Sequence, residues 1–393
     1  MAWAFGGGAA SSGVIVNPQT AMQSTAVYAC IKVLAESLGQ LPLITYERTV
    51  DGRVLPALKH PAYDLLANQP NEYQTIVEFL EMMVCHLNLR GNSYAYINRT
   101  RSGQVVELLP LHPDTVNVRM ENGWNLTYQI TLNDGGMKTV DRSEILHVRG
   151  LTLNGWLGIA PIAYARESIG LALATEKFGS QLFRNGAKMG GVLSHPGKLG
   201  DIAYERLKNS FDEATSGENS HKTALLEEGM KWEKMSMTAD DSQFLETRKY
   251  QRSEIAGVFR VPPHLIGDLE RTTFANIEQQ SIDFVQNGMQ PIANRVEKAL
   301  IRDVFTKEER SRFFPKFDMS ELLRGDAKTQ AEADNIGVLG GWLTRNEARI
   351  KRGYNPIDGL DEPLMPLNMI ELNDAEALDA DKAESVTEET DGL

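Results

Sequence analysis

The sequence predicts an α+β fold, on three observations. In residues 21–157, helix-spaced apolar residues give way to short alternating runs separated by turn pairs. In the middle of the chain, two long helical patterns bracket a small mixed insert, 187–239. After residue 276 the pattern returns to helices.

In chain order, residues 6–13 are rich in Gly, Ala and Ser and predict a flexible start, taken as 1–20. Met22, Ala26, Val27, Cys30, Val33, Leu34 and Leu38 recur at helical spacing, and Gly39 closes that helix. Residues 43–46 read as a strand turning at Asp51-Gly52, followed by helices at 62–67 and 75–89. Short strands are expected at 94–98, 105–109, 116–120, 128–132 and 145–148, divided by the turn pairs Ser102-Gly103, Asn122-Gly123 and Asp134-Gly135.

From Gly158 the chain turns to long helices. One is expected over 161–183, ending at Asn185-Gly186, and another over 241–259, ending where Val261-Pro262-Pro263 forbids continuation. The insert between them should hold strands near 191–194, 223–226 and 231–234 and a helix at 202–214. Residues 267–276 read as a polar loop, with Asn276 capping a third helix and Gln279 completing the capping box. That helix carries Ile282, Val285, Met289, Ile292, Val296 and Leu300 at steps of three and four, with Gly288 and Pro291 inside it as an expected kink. Its spacing suits packing within one subunit or between subunits. Thr344-Arg345-Asn346-Glu347 is a capping box for a helix closing at Gly353, and the end of the chain reads as disordered.

Composition narrows the function. Of a net charge of −13, residues 373–393 carry −7 through eight acids and one lysine, which leaves −6 for the body. Phosphate affinity comes chiefly from Lys and Arg releasing counterions, so contact with nucleic acid must be local and weak. The two cysteines, Cys30 and Cys85, have no metal or redox spacing and point to a reducing compartment. The first residues lack the pattern of a signal peptide, and no apolar run suits a membrane span, so a cytosolic product with no membrane partner is expected. The sequons at Asn98 and Asn125 are then chance matches.

No constellation for catalysis stands out. Gly197-Lys198 lacks the rest of a phosphate-binding loop, and the seven histidines show no ligand spacing. His264 with Asp268 reads as a turn after two prolines more readily than as an acid–base pair. Arg324-Gly325-Asp326 reads as a helix-boundary turn. Arg248, Lys249 and Arg252 suit DNA, but a charged helix face pairing with acids is the plainer account. Asp240-Asp241 with Glu246 is the best candidate for a metal-dependent nuclease, against a solvated helix start. No cofactor and no metal are expected.

A succession of landmarks resembles the portal proteins of siphophages, the tailed-phage family that forms the DNA channel of the capsid. It comprises His60-Pro61, Leu65-Leu66, Pro70-Asn71, Gly91-Asn92-Ser93-Tyr94-Ala95-Tyr96, Leu109-Pro110-Leu111 and Gly158-Ile159-Ala160-Pro161-Ile162. It continues through Gln243-Phe244-Leu245-Glu246, Val261-Pro262-Pro263, Asn276-Ile277-Glu278-Gln279, Phe317-Asp318, Leu322 to Asp326 and Asn355-Pro356. Each piece is weak alone; their order and spacing over 20–370 are specific. The short Gly-rich start departs from the family.

The resemblance implies a portal fold: an α/β wing (21–157), a stem of two long helices (158–186 and 240–266) and a small α/β clip (187–239). A tunnel loop (267–276), a kinked tunnel helix returning to the wing (277–316) and a helical crown (317–372) follow, then an acidic tail (373–393). It implies a homo-oligomeric ring, usually of twelve subunits, without enzymatic activity, at one vertex of the virion, assembled in the host cytoplasm. Its partners would be the terminase large subunit, the major capsid protein and scaffold, a head–tail adaptor, and double-stranded DNA held weakly without regard to sequence. Glu270, Arg271, Thr272, Thr273, Phe274, Ala275 and Asn276 would line the channel. Lys198, Arg206, Lys208 and Glu218 would face motor and adaptor, and Gly288 and Pro291 would form the hinge. A DNA-processing enzyme and a non-viral structural or adaptor protein are the rival readings.

Overall fold

The computed structural model describes residues 8–121, 124–132, 134–184, 191–194, 197, 200, 202, 204–206, 209, 231–234, 240–268, 274–322 and 327–364. The chain forms two units, dividing between Leu322 and Leu323.

The first unit is built on helices Thr25–Gly39 and Ile76–Arg90, which pack on one another. Val27, Cys30, Ile31, Leu34 and Leu38 on the first and Phe79, Leu80, Met83 and Val84 on the second are fully or almost fully buried. Their three- and four-residue spacing gives each helix one apolar stripe, which is why the pair forms. Thr75 and Glu78 make the reciprocal cap of the second helix, and Gly91 ends it in the left-handed region at φ 73°. Burial pushes the Cys30 thiol up to about 12, so it acts as a small apolar group.

Around this pair lie antiparallel sheets of three strands each. Ile145–Arg149, Asn92–Arg99 and Val105–Leu111 form one, with Asn92–Arg99 central. Phe313–Phe317, Leu43–Arg48 and Val54–Pro56 form another, so the chain returns after some 260 residues to close a sheet begun near its start. Val116–Glu121, Asn125–Thr131 and Met137–Asp141 form the third, which covers a separate small core of Tyr94, Val118, Tyr128, Ile130, Val140 and Ile145.

Several expectations are corrected. Residues 8–20, expected to be flexible, are folded: Gly8–Ala9 pairs with Ile15–Val16, and Asn17 caps a turn of helix. Ala10 and Val16 are buried against the first long helix, where Gly170 leaves room for the Ala10 methyl. The long helix is not continuous from 161; Pro161–Tyr164 and Arg166–Arg184 are separate, meeting at Ala165. The expected crown boundary at 317 falls inside the first unit, because Phe317 pairs with Leu43.

The second long helix, Asp240–Phe259, packs on Arg166–Arg184. Between them, Gly191–Ser194 pairs with Lys231–Lys234 in antiparallel register, as expected for a closed insert. The expected strand at 223–226 lies outside the described residues. No helix among the described residues is long and apolar enough to cross a membrane.

The second unit, taken by itself, pairs helices Ala327–Leu339 and Arg345–Lys351. Thr344 and Glu347 form the expected capping box. Asp334 bridges to Lys351 (3.3 Å) and Arg352 (2.7 Å), while the buried Asn346 amide holds Ile357 and Asp361.

Candidate functional site

The expected channel segment follows the second long helix. Arg260 ends that helix at φ 56°, Pro262 and Pro263 prevent its renewal, and Gly267 turns the chain at φ 80°. The turn is stitched internally: Gly267 N donates to His264 O and Asp268 N to Pro263 O. His264 Nδ1 pairs with Gln280 Oε1 at 2.8 Å, tying the turn to the next helix. Arg252 donates to Ile266 O, and Arg248 faces Glu176 of the first long helix at 4.0 Å. Two of the three cations considered for DNA therefore serve the fold.

Glu270, Arg271, Thr272 and Thr273 lie outside the described residues, as do Lys198, Lys208 and Glu218 of the insert. Arg206 is exposed in a helical stretch. Phe274, Ala275 and Asn276, expected in the loop, instead open helix Phe274–Asp283. Asn276 is therefore inside the helix and not its cap. Ala275 through Gln279 contain no Gly or Pro to stop the helix from starting a turn early.

Helix Phe274–Asp283 runs into a π-helical turn, Phe284–Met289, and then into helix Gln290–Asp303. This is the form taken by the expected irregularity at Gly288 and Pro291. Pro291 has no N–H to give to the carbonyl of Asn287 four residues back. Arg260 Nη1 donates to that carbonyl instead, at 3.2 Å. Gly288 eases the same crossing, since a Cβ there would stand tight, 3.1 Å from Arg260 O and 3.0 Å from the Phe284 ring.

Beyond the π turn, the helix is held by polar groups that sequence reasoning missed. Strand Ile145–Arg149 is an edge of its sheet, and the backbone of His147 and Arg149 is bonded from helix Gln290–Asp303. His147 N donates to Asp303 Oδ2 (3.1 Å), and Arg302 Nη2 donates to His147 O (2.6 Å). Arg302 also grips Asp303 through both carboxylate oxygens, at 2.7 and 2.6 Å. Arg295 Nη1 donates to Arg149 O and Gly150 O, and Arg99 Nη2 caps the helix end at Asp303 O and Val304 O. On another side, Glu297 accepts from Phe317 N at 2.9 Å.

The His147 ring continues this network inward. Asn92 Oδ1 accepts from Gly158 N and Asn92 Nδ2 donates to Gly158 O, both at 2.8 Å, which fixes the orientation of the amide. An amide oxygen only accepts, so His147 Nε2 donates to it (3.0 Å), and with the buried ring neutral Nδ1 accepts from the Tyr128 hydroxyl (3.1 Å). Burial, and then Arg149, Arg302 and Arg142, hold its pKa well below the ordinary histidine range. Burial first, and then Asp303, push Tyr128 up to about 12. Burial lowers the pKa of Arg302, but its bonds to Asp303 outweigh that and raise it.

The landmarks Gly91-Asn92 and Gly158-Ile159 thus acquire a physical account. A Cβ at Gly158 would lie 1.9 Å from Gly91 O, and one at Gly91 would lie 2.2 Å from Ile159 O. Two backbones cross there without room for side chains, and Asn92 locks the crossing just before the first long helix. The sequence signal was Gly91-Asn92 in one stretch and Gly158 in another, legible only once the two stretches are known to meet.

Among the described residues, no group of three His, Cys, Asp or Glu could hold a metal. The side chains of Asp240 and Asp241 lie outside the described residues, and Glu246 is exposed.

Similarity to known proteins matches this architecture. The family model described as "Phage portal protein" covers residues 25–353. The probable portal protein of Streptomyces phage phiC31 is 35% identical, over 94% of this chain and 83% of its own length. The portal protein of Enterobacteria phage HK97 is 31% identical, over 91% of this chain and 85% of its own. Among solved structures, a chain in the neck of an empty gene transfer agent particle with C6 symmetry superposes with a TM-score of 0.60 at 25% identity, covering 86% of this chain and 93% of that one. By a family match over most of its length and by these relatives, the chain belongs to the phage portal protein family.

Proposed function

We propose that twelve copies of this chain close into the ring through which the terminase motor drives double-stranded DNA, with residues 267–276 and the start of helix Phe274–Asp283 at the narrowest point. Portal proteins are structural components of the virion at a capsid vertex, working as the head–tail connector in DNA packaging, and this chain is one of them. The ring and its capsid and tail partners follow from that membership. We infer in addition the subunit number, contact with the terminase large subunit, scaffold and adaptor, weak sequence-independent contact with DNA, absence of enzymatic activity and assembly in the host cytoplasm.

The observation that carries it is the path from the second long helix through the double-proline turn into the interrupted helix. It leads from the second long helix, through a turn, to a helix interrupted at Phe284–Met289, with the polar residues 270–273 of the sequence between turn and helix. A body of net charge −6 suits a conduit, since each retained phosphate contact would oppose sliding. The insert 187–239 is read as the docking module for motor and adaptor; the pairing of Gly191–Ser194 with Lys231–Lys234 supports a self-contained projection. Nucleotide hydrolysis is assigned to the motor, because the chain has no phosphate-binding loop.

Electron microscopy of the purified chain tests the ring. Rings with a central hole are expected, and the Glu270→Ala, Arg271→Ala, Thr273→Ala triple variant should still form them while altering packaging rate or genome retention. Monomers alone across a wide range of concentration and salt would overturn the ring; normal packaging and retention in the triple variant would overturn the channel assignment.

A further inference from the structure

We propose that the cavity between the end of the third sheet and the loop 150–158 is a docking site for an acidic peptide of a partner protein. The peptide carboxylate seats on Arg142 and Arg149, beside Trp124 and Trp156. This goes beyond the channel reading and does not rest on it.

The cavity has a volume of about 710 Å³, within the range of sites that take a few side chains. Strand register sets one side of it. Glu121 pairs with Asn125 at the tip of one hairpin and Thr127 pairs with Asp141, so the chain enters Arg142 at the same end of the sheet. The other side is the loop after strand Ile145–Arg149. There Asn154 Oδ1 accepts from Trp156 N (3.0 Å) and Leu157 N (2.8 Å), Gly155 N donates to Thr152 Oγ1 (2.7 Å), and Gly155 turns the chain at φ 83°. These bonds fix the loop backbone, and the Trp156 indole packs partly against the small core that includes Tyr128 and Val140. Trp124 is 88% exposed and held at φ 69°, a conformation that bulky residues seldom adopt, and it lines the same cavity.

Charge selects the occupant. Arg142, Arg149 and Arg302 lie around one buried carboxylate, Asp303, so three cations against one anion leave two unmatched. Asp303 is already held by Arg302 at 2.6 Å and by His147 N at 3.1 Å, and Arg142 approaches it only to 3.9 Å. Among the described residues, the Arg149 side chain bonds Gly155 O (2.8 Å) and forms no ion pair. Burial first, and then Arg302, hold its pKa below the ordinary guanidinium range, as befits a cation short of a partner. Glu121 and Asp141 also line the cavity. Among the described residues neither pairs with Arg142 or Arg149, and Glu121 accepts from the Thr127 hydroxyl at 3.0 Å. A single carboxylate can enter between such groups and bond a guanidinium, whereas a run of phosphates would meet both acids as well. An apolar neighbour of the bound carboxylate finds the indoles, and tryptophan and arginine are the side chains on which protein contacts most often depend. The site therefore suits an acidic peptide and not a nucleic-acid strand.

Saturation-transfer difference NMR on the full chain tests this, with acetyl-Leu-Glu-Phe-amide as probe and acetyl-Leu-Gln-Phe-amide as its neutral counterpart. The acidic probe should bind with a dissociation constant of about 1 mM or tighter. The neutral one should bind about tenfold more weakly. Arg142→Gln and Trp124→Ala, both at exposed positions, should each weaken the acidic probe about fivefold without lowering the melting temperature. Arg149→Gln should weaken it about tenfold and Arg149→Lys restore part of the loss; should Arg149→Gln not fold, the other two variants decide. With the acidic probe at saturation, amide hydrogen exchange should slow at 141–143 and 154–157. A short oligothymidylate, at equal concentrations of phosphate and carboxylate, should leave the probe in place. Absence of binding to the wild type at about 10 mM acidic probe overturns the proposal. So does equal binding of the neutral probe, or undiminished binding in Arg142→Gln or Trp124→Ala. Displacement by the oligothymidylate would replace the peptide with a phosphate ligand and overturn it too.

Discussion

The helix pair Thr25–Gly39 and Ile76–Arg90 and the network around His147 both lie largely in the interior, and they are held together by opposite means. The first is an apolar contact in which Leu34, Leu38, Phe79 and Leu80 touch many neighbours and none is indispensable to another's chemistry. The second is a chain of specific bonds running Gly158, Asn92, His147, Asp303, Arg302, in which each member satisfies the next. Apolar packing is forgiving of shape and gives bulk stability, while a buried polar network tolerates no missing member and fixes geometry. The portal chain uses the first for its body and the second where three segments distant in sequence must keep register.

The sharpest test of that contrast is Asp303→Ala. It removes the carboxylate that neutralises Arg302 and leaves the His147 N–H without its acceptor, and a loss of about 3–5 kcal/mol is expected in denaturant titration. Replacing Arg302 and Asp303 together by leucine should recover part of it, because no buried charge is then left alone. A loss below that of an exposed ion pair would make the network ornamental. Leu80→Ala in the helix pair should cost about 2–4 kcal/mol, and no second substitution should rescue it through charge. If it cost as much as Asp303→Ala and also raised exchange at 158–160, the two regions would not be independent.

The third test is acidity. His147 and His86 are both held neutral: burial and then Arg149, Arg302 and Arg142 depress the first, while burial and then His112 and Arg90 depress the second to about 4. Tyr94, Tyr128, Asn92 and Asp303 complete the surroundings of the His147 ring. In the unfolded chain both histidines take up protons near pH 6.5, whereas in the folded chain they do not. Their contribution is therefore complete above that pH and is lost as pH falls toward 4, by about 1 kcal/mol per pH unit for each proton taken up. His147→Gln should lower stability at pH 7 and flatten the slope by one proton; an unchanged slope would place the titration elsewhere.

The same contrast explains what could be read beforehand. The helix pair was legible because an apolar stripe repeats at 3.6 residues, and the crossing Gly158-Ile159 was visible only as a landmark. Strand Phe313–Phe317 was missed because Pro315 argues against a strand; it is tolerated there because the strand lies at its sheet's edge, beside Leu43–Arg48. Residues 8–20 read as flexible because small residues have little to bury. In place, Ala10 needs only the gap above Gly170, and the Ser11 N–H donates to Glu167. Of the candidate site, the double-proline turn and the irregular helix were legible from Pro and Gly. The polar network joining helix Gln290–Asp303 to strand Ile145–Arg149 was not, since Asp303 and His147 are 156 residues apart and nothing in either stretch announces the other.

Strands Gly191–Ser194 and Lys231–Lys234 meet side by side, which puts the start and finish of the intervening residues one strand spacing, about 5 Å, apart. A segment that departs and returns at a single doorway can be exchanged without disturbing the frame that carries it. Under the docking role proposed for the insert, related viruses could trade residues 195–230 as a cassette and so change docking partners while the rest of the chain stays as it was. The same doorway is where a foreign domain could be grafted onto the ring.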